Sequence, residues 1–292
     1  MAQLAKPSLP PLVLAASGRD DERQFLQQAL ADLSARLDGD TWIERKQQWL
    51  QQMSSVGFWN SDERFDVLAH IELADRIEGG ARGARSLSGR LSSRATAKSG
   101  APRTLLRALA QQLYLLNAAL EDLDAGNASD VFLAVEPVAG EPPTDHANAW
   151  PLRLAQMYEG WGHKRQMRSQ VLAGGSQKGS QGTILIAFGG LGVHAILRRE
   201  AGLHVLETPD TDGSFLRQSA RVRVVPQPFK PRAAAQTEAD YARACVVAAP
   251  PGTNNIVRRY REQPSPLVRD SVAGWRSGRS DQILGGDFDL MS

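Results

Sequence analysis

Six leucines, Leu106, Leu109, Leu113, Leu116, Leu120 and Leu123, follow one another at alternating steps of three and four residues. Such a seam lies along one side of a helix and has to be buried against other helices. It rules out an all-β chain, and the residues before it supply the partners. From Asp21 to Asp38, Leu26, Leu30, Leu33 and Leu37 form one stripe. Thr41 with Glu44 reads as a capping box for a second helix bearing Trp42, Trp49 and Met53, which Gly57 ends. Asn60 with Glu63 opens a third, with Phe65, Leu68, Ile71 and Ile77 on one side. The Gly-, Ser-, Ala- and Arg-rich stretch from Gly79 to Ser99 leaves open whether that helix continues or breaks. Pro102 fits the first turn of the leucine-seam helix. Residues 19–126 are therefore expected to form a helical domain, and residues 1–18 a disordered leader without a secretion signal.

After this point the pattern changes period. Asp130–Val138, Val171–Leu172, Thr183–Phe188, His204–Glu207, Ala220–Val225 and Asn255–Tyr260 read as strands separated by glycines. A Gly140–Pro143 turn precedes a helix through Leu154, Met157 and Trp161, and a short helical pattern covers Ala195–Glu200. Residues 226–252 are rich in Pro and Ala and read as an exposed linker, with at most one short helical run near Asp240–Val247. The expected fold is α+β: an N-terminal helical bundle, then a mixed β-sheet domain (127–292) with one main packing helix.

The chain of 292 residues has a single cysteine, Cys245, which excludes an internal disulfide and a multi-cysteine zinc site. No apolar run approaches the ~20 residues that span a bilayer, so no membrane partner is expected and the cytoplasm is the default location. The net charge of +2 hides an asymmetry. Residues 1–150 hold 15 Lys and Arg against 20 Asp and Glu (−5), and residues 151–292 hold 19 against 12 (+7). A basic half suits a polyanion such as RNA, or is simply a solvated basic face.

Catalytic motifs are sparse. There is no Walker loop, no Gly-x-Ser-x-Gly elbow, and Gly190-Leu-Gly192 lacks the rest of a dinucleotide fingerprint. The five histidines, His70, His146, His163, His194 and His204, never stand in a metal-ligand spacing. Cys245, in an apolar stretch, reads as an inert thiol. Asp287 and Asp289 could bind a cation, although two carboxylates in a tail are usually solvated charge. Neither an enzyme, a metal nor a small-molecule cofactor is expected.

Six short strings, Gly57–Arg64, Trp150–Trp161, Leu197–His204, Arg221–Pro226, Asn255–Asp270 and Ile283–Asp289, run in order along the chain, and together they resemble class I bacterial peptide chain release factors. Gly57-Phe58-Trp59-Asn60 with Asp62-Glu63-Arg64 resembles a helix start in that family's N-terminal (PCRF) domain. Trp150, Met157, Tyr158 and Trp161 match the spacing of its central-domain helix. Leu197-Arg198-Arg199-Glu200-Ala201-Gly202-Leu203-His204 resembles its Leu-x-x-Glu-x-Gly-Val-His turn, and Arg221–Pro226 the strand leaving the central domain. Asn255–Tyr260 with Leu267-Val268-Arg269-Asp270 resembles the chain's re-entry, and Ile283–Asp289 the closing Val-Leu-x-Gly-Asp-Leu-Asp.

The departures bear on function. The family's Gly-Gly-Gln tripeptide, on a separate domain, promotes peptidyl-tRNA hydrolysis; this chain has no Gly-Gly-Gln. Residues 227–252 stand where that domain belongs and are too few for one with its own core. The nearest string, Gly174-Gly175-Ser176-Gln177, is misplaced. The family reads stop codons with a loop just after its Gly-Val-His turn; here His204, Thr208, Pro209, Asp210 and Thr211 are the equivalent, with Pro209-Asp210-Thr211 in the Pro-x-Thr form, or a plain β-turn. The resemblance thus implies a release-factor-like protein of translation that binds the ribosome or RNA without hydrolysis. The alternative is a protein–protein adaptor on the same scaffold, meeting a chaperone or stress complex through its helical domain.

The RNA-binding candidates are Arg217, Arg221, Arg223, Arg258, Arg259, Tyr260 and Arg261. In a strand, Arg259 and Arg261 share one face and Arg258 and Tyr260 the other. Guanidinium groups grip phosphates, and tyrosine can stack on an unpaired base. The competing reading is an edge strand guarded by charge.

Overall fold

In a computed structural model, residues 7–94, 101–138, 149–174, 182–210 and 214–291 are described. The chain divides into two compact units, Met1–Ala128 and Ser129–Ser292. The Gly140–Pro143 turn, Thr211 and residues 175–177 of the misplaced Gly-Gly string lie outside the described residues.

The first unit is helical. Helix α5 (Arg103–Asp124) buries the whole leucine seam, with Leu105, Ala110 and Ala119 beside it. Against it lie α2 (Asp20–Asp38), through Leu26, Leu30, Leu33 and Leu37, and α4 (Glu63–Arg94). Helix α4 runs unbroken from Gly79 to Arg94 of the glycine-rich stretch, and residues 95–99 lie outside the described residues. Where it meets α5 it offers Ala74, Ile77, Ala81 and Ala84, and small side chains bring helix axes close. Helix α3 (Asp40–Met53) starts one residue before the expected capping box, with Gly39 as its N-cap and no side-chain cap. It buries Trp42, whose Nε1 donates to Glu78 at 2.8 Å.

The expectation of a disordered leader is corrected over its described residues. Leu9–Ala15 form a helix, α1, with Pro10 and Pro11 in its first turn, where a missing N–H costs nothing. Leu12 and Val13 are buried, and Arg107 of α5 donates to the Val13 carbonyl at 3.0 Å. The Glu22 carboxylate closes the corner into α2. It accepts from the backbone N–H groups of Ser17, Gly18 and Arg19 and from the Ser17 hydroxyl. Burial alone would raise its pKa, but these bonds hold it below the ordinary value.

The second unit is an eight-stranded mixed sheet in the order β2-β3-β1-β5-β4-β6-β7-β8. The strands are β1 (Val131–Pro137), β2 (Arg168–Ala173), β3 (Ile184–Gly189), β4 (Gly202–Pro209), β5 (Phe215–Pro226), β6 (Ile256–Arg261), β7 (Leu267–Asp270) and β8 (Arg276–Ser277). All neighbours are antiparallel except β4 and β6. A parallel neighbour needs a crossover, and the chain makes it through β5 and residues 227–255.

Helix α6 (Ala149–Lys164) covers one face, packing Trp161 edge-on to Phe188 and Trp150 edge-on to Tyr260. A short helix, α7 (Val193–Leu197), follows β3, and the opposite face carries α8 (Glu238–Ala248), capped at its start by the Thr237 hydroxyl. Its Ala242 and Val246 sit on Phe132, Ala134, Leu185, Ala187 and Val225. The short helical run expected near Asp240–Val247 is this helix, and α6 remains the main packing helix; what is corrected is the reading of 226–252 as an exposed linker, since α8 packs on the sheet. With α6 on one side and α8 on the other, β1 and β3 are buried on both faces. They therefore read as continuous apolar runs rather than alternations.

Candidate nucleic-acid interface

Helix α8 covers only the β2-β3-β1-β5 end of its face. Strand alternation and ladder register fix what the open end presents. Arg223 is opposite Ala134 and Arg221 opposite Glu136. Arg217 is opposite Glu207, Glu207 opposite Arg261, and Val205 opposite Arg259. Five of the seven arginine and tyrosine candidates, Arg217, Arg221, Arg223, Arg259 and Arg261, thus lie on one face, the side bearing α8.

They are not equally free to meet a ligand. Arg223 is committed to the fold: it reaches Glu136 at 3.4 Å and the carbonyl oxygens at the end of α8. Arg221 donates to the Asn254 side chain at 2.7 Å. Arg261 lies over the Phe215 ring, 5.8 Å from its centroid, and donates to the Ser265 carbonyl. Glu207 sits between Arg217 at 3.8 Å and Arg259 at 3.5 Å, and the Arg217 side chain is 65% exposed. Phe215 is exposed beside them at the end of the β4–β5 hairpin, so aromatic and cationic groups share the surface.

Arg258 and Tyr260 belong to the other face, and their assignment to RNA is corrected by burial. Arg258 is 2% exposed and Tyr260 1%. The Arg258 guanidinium takes Glu200 on two nitrogens, at 2.8 and 3.0 Å, and Asp270 at 2.7 and 3.0 Å. The rings of Trp275 and Phe288 flank it at 5.1 and 5.4 Å. A buried charge persists only when paired and hydrogen-bonded in this way. No phosphate reaches it.

His204 is corrected for the same reason. It is fully buried, between α6 and the sheet. One ring nitrogen, Nε2, lies 3.0 Å from the Glu200 carbonyl oxygen, which can only accept, so Nε2 carries the proton. Nδ1 then accepts from the Tyr260 hydroxyl at 3.1 Å. Burial, with the Arg258 charge beside it, pushes the His204 pKa down to about 3, so the ring is neutral at pH 7. Tyr158 donates to Glu200, and the Trp150 indole to the His204 carbonyl. Trp150, Met157, Tyr158, Glu200, His204, Arg258, Tyr260 and Asp270 all come from the strings that resemble release factors. They meet in one buried cluster.

The codon-loop equivalents begin as strand. Thr208 and Pro209 end β4 in an exposed position, and Asp210 closes the hairpin by donating its N–H to the Ser214 carbonyl at 2.8 Å. Asp287 and Asp289 are not solvated tail charges. Both bind Arg165, 2% exposed, and Lys164 adds a bond to Asp287 at 2.8 Å. The carboxylates that could have held a cation are therefore occupied by a guanidinium. Cys245 lies half-buried in α8 beside Tyr241, and burial pushes its thiol up. Among the described residues no group of three His, Cys, Asp or Glu could hold a metal ion, and no helix is long and apolar enough to cross a membrane.

Sequence reasoning missed Arg269 and Arg276, which stand on the open face beside Arg259. The signal was present in the β6–β7 hairpin: once Arg261 pairs with Leu267, Arg259 must pair with Arg269.

An α+β protein whose sheet is half-covered on one face and lined there by arginines is what the fold defines. No family model matches the chain, and no curated protein matches it. Among solved structures it is similar to RF2 of Thermus thermophilus, at 15% sequence identity over 97% of both chains with a TM-score of 0.43.

Proposed function

We propose that the protein is a release-factor-like protein of translation that binds the ribosome or RNA and does not hydrolyse peptidyl-tRNA. One observation carries the reading: Arg217, Arg221, Arg259 and Arg261 share the half of the sheet face that α8 leaves open, with Phe215 beside them. Such a face suits a phosphate backbone with unpaired bases. The ordered strings that resemble release factors support the choice of translation. The missing Gly-Gly-Gln supports inactivity, as does α8, which occupies residues that would otherwise lead into a hydrolytic domain. Cytoplasmic location follows from this role.

The test has two arms. The purified protein should sediment with ribosomes or retain 16S ribosomal RNA in a pull-down, and it should release no peptide above background from stop-programmed ribosomes. Failure to bind rejects the RNA reading; peptide release rejects inactivity.

A second reading, a protein adaptor, is favoured by the first unit. Trp59 is 58% exposed and Leu50 54%, with Val56 fully exposed between them in sequence. A fold-intact protein that ignores RNA but pairs with another protein through Trp59 would decide for it.

A further inference from the structure

Two neighbouring rows of side chains cross the open half of the sheet, and they differ in charge order. In one, Arg217 on β5, Glu207 on β4 and Arg261 on β6 stand in register, so a carboxylate separates the two cations. In the other, Arg259 on β6, Arg269 on β7 and Arg276 on β8 stand directly opposite one another, with no acidic residue between them. Arg269 and Arg276 are exposed. Among the described residues neither makes an ion pair, whereas Arg259 has only Glu207 at 3.5 Å.

Like charges directly opposite on adjacent strands destabilise a sheet. The cost is compounded here, because the middle arginine has a like neighbour on each side. Adjacent strands are about 4.8 Å apart, so the three stems span roughly 10 Å. Flexible arginines over that distance match successive phosphates of one nucleic-acid strand, each able to take a phosphate on two nitrogens. A single small anion would leave most of the row unneutralised.

We infer that Arg259, Arg269 and Arg276 form a phosphate track for one strand of RNA, running from the Arg217–Phe215 surface to the β8 edge of the sheet. The inference rests on the RNA-binding reading and adds to it a path and two residues. The row reads no bases, since guanidinium–phosphate contacts position a strand without carrying sequence information. The competing explanation is that β7 and β8, at the sheet edge, carry arginines to prevent edge-to-edge association.

The experiment is the salt dependence of binding to a short labelled single-stranded RNA, for wild type, Arg269→Gln with Arg276→Gln, the matching double lysine variant, and Arg243→Gln on α8 as a charge control. Both positions are exposed, so all four proteins should fold, and thermal unfolding checks this first. Each phosphate contact contributes about 0.7 to the slope of log affinity against log salt for single strands, so the double glutamine variant should lose about 1.4. The double lysine variant should keep most of the slope, and Arg243→Gln all of it. Without RNA, the double glutamine variant should melt on the order of 1–2 °C higher, because the repulsion is gone. If wild type itself binds no RNA, the RNA reading fails and the track with it. If wild type binds and the double glutamine variant keeps its slope, the track alone is overturned. Aggregation of that variant with an unchanged slope would assign the row to edge protection.

Discussion

Arg223 on β5 places one guanidinium nitrogen 2.7 Å from the Val246 carbonyl oxygen, and the same nitrogen reaches the Ala249 and Pro250 carbonyls at 3.1 and 3.0 Å. The last turn of a helix leaves carbonyls without partners, and a cation there also meets the negative end of the helix dipole. Arg223→Met keeps the stem and removes the donors. It should destabilise the second unit by about 1.5–3 kcal/mol, the range for a hydrogen bond to a charged group. In native wild type, trypsin should cut at Arg232, in the irregular stretch before α8, earlier than at Arg243 within it. The variant should lose that order.

Removing Arg258 should be far costlier than removing any exposed arginine. Arg258→Met leaves Glu200 and Asp270 buried without their cation, and breaking such a pair costs about 3–5 kcal/mol. Adding Glu200→Gln and Asp270→Asn should recover most of the loss, since the uncompensated charges are then gone. Urea denaturation measures all three proteins. Because Arg258 faces the core, RNA affinity of the recovered triple variant should equal that of wild type.

His204 predicts an acid response. Its pKa is about 3 in the folded protein against 6.5 when unfolded. The folded state therefore resists the proton that the unfolded chain accepts. Stability from this residue is complete above pH 6.5 and falls as pH drops from there toward 3, by about 1.4 kcal/mol per pH unit. His204→Gln should be less stable than wild type at pH 7 but should flatten this part of the curve. An unaltered slope between pH 6 and 4 in the variant would place the titration elsewhere.

Gly286 is at φ +98°, and a β-carbon added there would lie 2.3 Å from the Trp161 backbone nitrogen. Both the backbone conformation and the contact oppose any side chain. Gly286→Ala should cost on the order of 2–4 kcal/mol and detach the segment that carries Asp287 and Asp289. Loss of the Trp161 fluorescence environment in mild urea would report it.

Much of this fold could be read in the sequence because long periodic stretches carry it. The leucine seam of α5 and the stripe of α2 are buried as their spacing requires. Helix α8 showed as a short run near Asp240–Val247, but its packing on the sheet was hidden because its buried stripe is Ala242 and Val246, small residues that give little periodic contrast. Helix α1 was missed because seven residues with two prolines look like a leader until Arg107 is seen to hold it. In β6 the alternation correctly put Arg259 with Arg261 and Arg258 with Tyr260. Which pair faced the core depended on Glu200 and Asp270, brought from elsewhere in the chain. Charge in a sequence does not say whether its partner is a solvent ion, a phosphate or a buried carboxylate.

The clasp between Arg165 and the pair Asp287 and Asp289 joins residues 122 and 124 positions apart. During synthesis Arg165 leaves the ribosome long before either aspartate exists. At 5–20 residues per second the delay is roughly 6–25 s. Throughout that time α6 has Trp161 but not the turn bearing Phe288 that packs against it. The second unit is therefore vulnerable to chaperones, proteases and mispairing until its last strands and closing turns are made, whereas the first unit, whose residues end at Ala128, can be finished while the chain is still growing.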